Sequence, residues 1–399
     1  MSSFRSLDIL NDLTGQTALV RVDFNVPMED GRVSDDTRLR SALPTIKLLS
    51  AKGAKVALLA HFDRPKGKIV PEMSLRPLVA SLEALLGHPV AFAVDCIGEP
   101  ARLVLDGLKP GGVALLENVR FHPGEEENDP DFVTQLAALG HIYVNDAFSA
   151  AHRAHASTEG VARKLRAYPG LSMSRELAAL DAALGAPRRP VLGIVGGSKV
   201  STKLDLLRNL IDKLDKLAIG GGMANTFLYA QGHPIGASLC EKDLAETARD
   251  ILAAAKAKGC EILLPIDLVC AEELKSGILG VVRRVDEVAA QDKIFDAGPL
   301  SAARLTSVID SVATVIWNGP LGVFETPPFD AATVAVARHT ASLAKAGSIV
   351  AVAGGGDTVA ALNAAGVAKD FSFVSTAGGA FLEWMEGKPL PGVDALKIG

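Results

Sequence analysis

The sequence predicts an α/β protein of two similarly sized domains, each a mainly parallel sheet covered by helices on both faces, joined by a hinge helix. Three observations lead there. Short apolar runs alternate with longer segments of helical period along the 399 residues, the pattern of strand–helix–strand crossovers. The apolar runs are continuous and do not alternate with polar residues, as strands buried on both faces require. Near the middle, one helix pattern stands between Gly/Pro turns and divides the chain into nearly equal halves.

Taken in order, strands are expected at 18–26, 56–62, 90–94, 113–116 and 142–144 in the first half. In the second they are expected at 191–195, 217–219, 262–269, 314–317, 349–352 and 371–374. Between them, helical periodicity marks 38–52, 75–86, 131–139, 202–214, 243–258, 331–346 and 357–365. So many strands fit two sheets better than one. Tyr168-Pro169-Gly170 makes a turn, an Ala/Leu/Glu helix follows, and Gly185-Ala186-Pro187 ends it. These limits give a first domain at 1–171, a hinge helix at 172–185 and a second domain at 186–388.

Composition narrows the function. A hydrophobic content of 48% and a charged content of 22% describe an ordinary globular chain. A formal net charge of −5 and only 5% aromatic residues argue against nucleic-acid binding, which needs a basic surplus and stacking platforms. Cys96, Cys240, Cys260 and Cys270 form no CxxC and show no metal-ligand spacing, so reduced thiols in a cytoplasmic protein are expected. The N-terminal residues MSSFRSLDILND carry no apolar secretory core, and no apolar run approaches the ~20 residues that would span a membrane.

The chemistry is expected beyond the carboxyl ends of the strands, where open parallel sheets bind ligands. In the first half those ends are cationic and polar. Arg21, Asp23 and Asn25 follow the first strand, with Arg38 on the next segment; His61 and Arg64 follow the second, Arg120 the fourth, and Asp146 leads into His152, Arg153 and His155. Any one arginine is readily explained as a surface ion pair. Several at neighbouring strand ends of an acidic protein imply a small, strongly anionic ligand, whose oxygens the guanidinium fork binds two at a time.

In the second half the strands end in glycines: Gly196-Gly197, Gly220-Gly221-Gly222, Asn318-Gly319, Gly354-Gly355-Gly356 and Gly378-Gly379. Glycine lets backbone approach a ligand closely. The stretch VLGIVGGSKVSTK, 191–203, reads as strand, glycine turn and helix start, an arrangement that binds phosphate through free backbone N–H groups. If the helix begins at Val200, Lys199 and Lys203 are neighbours on its first turn. The stretch is not a Walker A loop, since Ser198 and Val200 stand where Gly and Ser/Thr are needed. It is equally compatible with glycines that only end a strand and lysines that are solvated. Asp357, after a glycine run and before a helix, suits Mg²⁺ beside phosphate; Asp357 or Thr358 could instead cap that helix. No GxGxxG fingerprint, HExxH or GxSxG is present, so phosphoryl transfer between an anion-binding half and a nucleotide half is the reading that remains.

Taken together, these residues closely resemble the phosphoglycerate kinase family over essentially the whole chain. The carriers, in the family's order, are RVDFNVP at 21–27, HFDRP at 61–65, LENVRFHPGEEEND at 116–129, NDAF with AHRAHAS at 145–157, GGSKV at 196–200, GGGMANTFL at 220–228, WNGPLGVFE at 317–325, GGGDT at 354–358 and STAGGAFLEWMEGK at 375–388. The resemblance implies reversible transfer between 1,3-bisphosphoglycerate with ADP and 3-phosphoglycerate with ATP, using Mg²⁺. It assigns Arg21, Asp23, Phe24, Asn25, Arg38, His61, Phe62, Asp63, Arg64, Arg120 and Arg153 to the glycerate ligand. It assigns Lys203, Glu325, Gly354, Gly355, Gly356, Asp357 and Thr358 to the nucleotide, with Asp357 toward the metal. Arg38, Lys199, Lys203 and the N–H groups at Gly378 and Gly379 would meet the phosphoryl group. The tail 389–399 is expected on the first domain, and a monomer is expected. The contrasting class is a non-catalytic two-lobed protein that closes on a phosphorylated metabolite; a nicotinamide oxidoreductase is disfavoured by the missing fingerprint.

Five positions depart from the family pattern. Asp63 stands where glycine is common, and Thr202 where an aspartate is common. Ala377 replaces the first of three glycines, and Ser149-Ala150 differs from the usual pair.

Overall fold

The computed structural model describes residues 4–398; residues 1–3 and Gly399, which the expected domain limits include, lie outside the described residues. The chain forms two compact units, Met1–Leu177 with Pro389–Gly399, and Ala178–Lys388.

The first unit is built on a six-stranded sheet in the spatial order Val90–Ala93, Val113–Leu116, Lys55–Leu59, Thr17–Arg21, Ile142–Asn145, Arg166–Pro169. Every neighbouring pair is parallel. The central strand TALVR is buried at all five positions. Helix Thr37–Ala51 turns Leu39, Ala42, Ile46 and Leu49 to the core, a helical spacing that places them on one face. They pack with Val20, Val56, Leu58 and Val144. Each buried leucine, isoleucine or valine here contributes about 1.5–3 kcal/mol. Because the sheet is parallel, the residues after Arg21, Leu59, Leu116 and Asn145 all leave from one edge, and this edge carries the arginines.

The second unit has its own six-stranded parallel sheet in the order Glu261–Leu263, Lys216–Ile219, Val191–Val195, Thr314–Asn318, Val350–Gly354, Phe373–Ser375. Numbered in chain order within this sheet, that is 3-2-1-4-5-6, so the connections reverse direction between Val191–Val195 and Thr314–Asn318. A crevice opens at such a reversal. Leu192, Ile194, Val315, Trp317 and Val336 fill the core against it.

The second unit departs from expectation at the strand read across 262–269. The single strand expected at 262–269 is two strands, Glu261–Leu263 in the parallel sheet and Asp267–Ala271 in another. Pro265 lies between them, and a proline lacks the N–H that a continuous interior strand must donate. Asp267–Ala271 instead centres a three-stranded antiparallel sheet between Val281–Arg284 and Lys293–Ala297. Helices Gly98–Asp106, Gly221–Ala230 and Pro299–Ile309 have no counterpart among the expected helical segments, since each begins on glycine or proline, which read as breakers.

The expected hinge helix is α-helical over Leu171–Leu180 and continues as a wider π turn at Asp181–Gly185. The division between the units falls within it. Its first turn is capped from a distance: Asp146 Oδ1 accepts the N–H groups of Ser172 (2.9 Å) and Met173 (3.0 Å). Residues 389–398 belong to the first unit. Gly392 donates its N–H to Ala151 O at 2.8 Å, and Asn145 Nδ2 donates to Gly392 O at 3.4 Å. Among the described residues no helix is long and apolar enough to cross a membrane, and all four cysteines are free.

Candidate active site

In the first unit, the turn after Thr17–Arg21 organises the cationic edge. Asp23 Oδ1 accepts from Asn25 N (3.1 Å) and from Arg38 Nη1 (3.1 Å), and Arg38 Nη1 also donates to Asn25 O (2.8 Å). Ser149 Oγ donates to Asp23 Oδ2, so one of the unusual pair at 149–150 has a place. Arg38 keeps 36% of its side chain exposed, which leaves most of its fork open to a ligand. Asn25 Oδ1 accepts from Asp63 N (3.0 Å), and Arg120 Nη1 donates to Asp63 O (2.8 Å). Asp63 therefore serves the site through its backbone. Its φ of +52° explains why glycine suits the position, and aspartate is among the few side chains that tolerate it.

His61 is buried at 8% exposure. Burial, then the charges of Arg21, Arg120 and Arg38, hold its pKa well below 6.5, so the ring is neutral at physiological pH. His155 is driven down to about 4 by the same causes, burial and neighbouring arginines. Arg64 is exposed and Arg153 half-buried. The edge thus offers the open cations Arg38, Arg64 and Arg153, the partly engaged Arg120, and one neutral imidazole.

Two expected ligand residues sit elsewhere. Arg21 is 1% exposed, and its three nitrogens are engaged by Ser157 Oγ, Val22 O and His61 Nδ1. The fork supports the site from behind and does not face a ligand. Phe24 is fully buried in the core. Phe62 packs beside that core and is fixed through its backbone by Asn118, whose Nδ2 donates to Phe62 O at 2.8 Å.

In the second unit, the crevice at the strand reversal is closed by glycine contacts. A Cβ on Gly196 would lie 1.7 Å from Pro320 O, so only glycine lets the two loops meet. Lys203 bridges them: its Nζ donates to Gly196 O and to Asn318 Oδ1, each at 2.6 Å. The same Nζ lies 3.4 Å from Asn318 O, a longer third contact. Burial lowers its pKa to about 8, against the opposing pull of Asp357 and Glu386. The helix here begins at Leu204, with Lys203 as its N-cap, so the expected first-turn pairing of Lys199 with Lys203 does not form. Lys199 is exposed in the preceding turn, and Thr202 Oγ1 donates back to Lys199 O at 2.9 Å.

A pocket of about 510 Å³ adjoins this crevice, lined by Gly197, Gly221, Leu239, Phe295, Glu325 and Asp357 among others. Asp357 lies in the first turn of helix Gly356–Ala364, whose N-cap is Gly355 with no side-chain cap. It has no hydrogen bond or ion pair to the described residues, so its carboxylate is free for a cation and does not cap the helix. Thr358 is 2% exposed and accepts from Gly319 N at 2.7 Å, which gives it a structural part. Gly354 ends its strand, and Gly355 holds φ +99° with Asn318 Nδ2 packed over it. Gly378 and Gly379 open helix Gly378–Met385 behind Ala377, which takes φ −92°. That conformation is open to any residue, so alanine costs the turn nothing.

Sequence reasoning missed Asn318, which joins Lys203 to Gly354 O (2.9 Å), and the apolar wall of Leu239 and Phe295. It also missed Ser157 and Glu125. Asn318, Ser157 and Glu125 lay inside the quoted stretches WNGPLGVFE, AHRAHAS and LENVRFHPGEEEND; Leu239 and Phe295 carry no signal apart from the fold.

Comparison with known proteins agrees along the chain. The family described as "Phosphoglycerate kinase" matches residues 7–388. The chain is 70% identical to "Phosphoglycerate kinase" of Caulobacter vibrioides (strain NA1000 / CB15N) over 395 residues, covering 99% of this chain and 100% of that protein. It is 62% identical to the protein of that description from Xanthobacter autotrophicus (strain ATCC BAA-1158 / Py2), covering 100% of both. Among solved structures, phosphoglycerate kinase from Coxiella burnetii superposes with a TM-score of 0.92 at 42% identity, and that from Pyrococcus horikoshii OT3 with 0.79 at 30%; each comparison covers 98% of both chains.

Proposed function

This chain belongs to the phosphoglycerate kinase family and is a glycolytic kinase that moves a phosphoryl group reversibly between 1,3-bisphosphoglycerate with ADP and 3-phosphoglycerate with ATP; we propose how its residues divide that work. The non-catalytic binding reading is not favoured, because the relatives at 60–70% identity are named as the kinase.

The first unit holds the glycerate. Arg38, Arg64, Arg120 and Arg153 neutralise its phosphate and carboxylate oxygens, Asp23 and Asn25 set the position of Arg38, and neutral His61 donates one hydrogen bond. The second unit holds the nucleotide, with the base against Leu239 and Phe295, Glu325 beside the sugar, and Lys203 with the glycine turns on the phosphates. Asp357 is the Mg²⁺ contact, since a free carboxylate beside a phosphate cradle is the donor that ion prefers. When bound, Mg²⁺ would neutralise phosphate charge. Arg38, Lys199 and the N–H groups of Gly378 and Gly379 stabilise the phosphoryl group in transfer.

No nucleophile is required of the protein, because phosphoryl transfer is accelerated chiefly by position and charge. With the two ligands assigned to different units, movement about helix Leu171–Leu180 is the step that aligns them and excludes water. A monomer in the cytoplasm completes the proposal.

The observation that carries this reading is the free carboxylate of Asp357 lining a pocket that adjoins Lys203. A coupled assay of ATP formation, with and without Mg²⁺, tests it. Asp357→Asn is expected to lose several kcal/mol of transition-state stabilisation, and an unchanged Mg²⁺ dependence in that variant would refute the metal assignment.

A further inference from the structure

Behind the cationic edge of the first unit lies a buried chain of hydrogen bonds whose direction is fixed by chemistry. Arg21 Nη2 lies 2.9 Å from His61 Nδ1, and Arg21 Nε donates to Ser157 Oγ at 2.8 Å. Ser157 Oγ in turn donates to Glu125 Oε1 at 2.6 Å, and Ser157 N donates to Glu125 Oε2 at 2.9 Å. Arg21 is 1% exposed, and Ser157 and Glu125 are 0% exposed. Guanidinium has donors and no acceptor. His61 Nδ1 must therefore be the bare nitrogen, and the proton of the neutral ring must sit on Nε2. The hydroxyl of Ser157 already accepts from Arg21, so its own proton is left for Glu125. Neither of these links of Arg21 can reverse, because a guanidinium only donates.

From this geometry, and resting on the reading that the cationic edge binds the glycerate ligand, we infer that Ser157 and Glu125 are positioning residues for that ligand: through Arg21 they lock His61 as an Nε2–H donor. The reason is electrostatic and steric together. A ring free to turn would present its lone pair to an anionic ligand in some of its states, and a lone pair repels. Glu125 supplies the negative charge that keeps Arg21 buried and oriented, since a buried guanidinium without a carboxylate partner is strongly unfavourable. His155 Nδ1, 3.8 Å from Glu125 Oε1, closes the other side of that carboxylate. The relay joins two sequence stretches that the chemistry of transfer leaves idle, the acidic run after Arg120 and the serine that ends AHRAHAS.

The test uses the full-length protein. Nitrogen-15 NMR of the histidine rings, with His61 assigned by its loss in His61→Ala, is expected to show His61 with unprotonated Nδ1 and protonated Nε2. In Ser157→Ala, which leaves both charges in place, that signature is expected to average between tautomers. The dissociation constant for 3-phosphoglycerate should rise by about tenfold, the scale of one charge-assisted hydrogen bond, while that for ADP stays within about twofold. In a His61→Ala background, Ser157→Ala should then add nothing, because the relay acts through that ring. Glu125→Gln should weaken glycerate binding in the same selective way; Ser157→Ala decides the matter if Glu125→Gln does not fold. An unchanged His61 signature in Ser157→Ala overturns the relay, as does a full additional loss in the double variant. If His61→Ala itself binds 3-phosphoglycerate normally, the glycerate site assignment fails and the relay with it; a loss in His61→Ala without one in Ser157→Ala removes only the relay.

Discussion

At the scale of single residues, Arg38 and Lys203 are held in ways that state what each can do. Arg38 is anchored by Asp23 and by Asn25 O through one Nη, and the rest of its fork is open. Arg38→Ala is expected to lose roughly 3–4 kcal/mol of transition-state stabilisation, by analogy with a preorganised oxyanion donor, while substrate binding weakens far less. A fall in kcat of less than tenfold would be incompatible with that role, and near-normal turnover in Arg38→Lys would mean the planar fork is dispensable. Lys203 makes a prediction about pH. Its folded pKa of about 8 lies below the ordinary 10.5 because of burial. The unfolded chain keeps that proton between about pH 8 and 10.5 and the folded chain does not, so this group's contribution to stability rises with pH across that window. Nucleotide affinity should run the opposite way, weakening as pH rises through 8 and the charge is lost. Calorimetric titration from pH 7 to 9.5 should show the decline in the native protein and its near absence in Lys203→Arg; a flat native profile would contradict it.

At the scale of elements, the start of helix Leu171–Leu180 depends on a residue twenty-five positions upstream of it. Asp146 caps Ser172 and Met173, and Asp146→Ala should cost about 1–2 kcal/mol, as loss of a helix cap does. Burial raises the folded pKa of Asp146 from 3.8 to about 6. The folded state therefore binds the extra proton between those values, and the native advantage over the alanine variant should grow as pH falls through 6 toward 3.8. Urea midpoints at pH 5 and pH 8 measure this; a larger deficit at pH 8 would reverse the sign and refute it. The same element shows what was legible in advance. Strands such as Thr17–Arg21 and Val191–Val195 are continuous apolar runs, and their parallel burial follows from that alone. Asp146 was visible as a polar strand end and the helix as an Ala/Leu/Glu pattern, but the bond between them was not, because a cap contributed from another segment leaves no local spacing. Arg21 was misplaced for a related reason. Sequence shows a guanidinium at a strand end and cannot show that Ser157 and His61 already occupy it. The positive φ at Asp63, by contrast, was foreshadowed by the glycine usual there.

At the scale of the molecule, the sites assigned to the two ligands lie in different compact units, so each ligand should act on its own unit first. In hydrogen exchange, 3-phosphoglycerate alone is expected to protect amides of residues 4–177, and ADP alone those of 178–388. Each ligand stabilises the state that binds it by about 2.7 kcal/mol at a hundredfold excess over its dissociation constant. Protection by 3-phosphoglycerate centred on residues 196–222 would contradict the assignment. The course of the chain has a consequence of another kind. The first unit is not one stretch: Gly392 seals onto Ala151, and Asn145, next to the cap Asp146, holds Gly392 O. During synthesis the residues of the second unit all emerge before Gly392 does. The half of the protein that is translated first must therefore wait, its edge at Asn145 and Ala151 uncovered, until the other half has been made; the unit begun first on the ribosome is the one completed last.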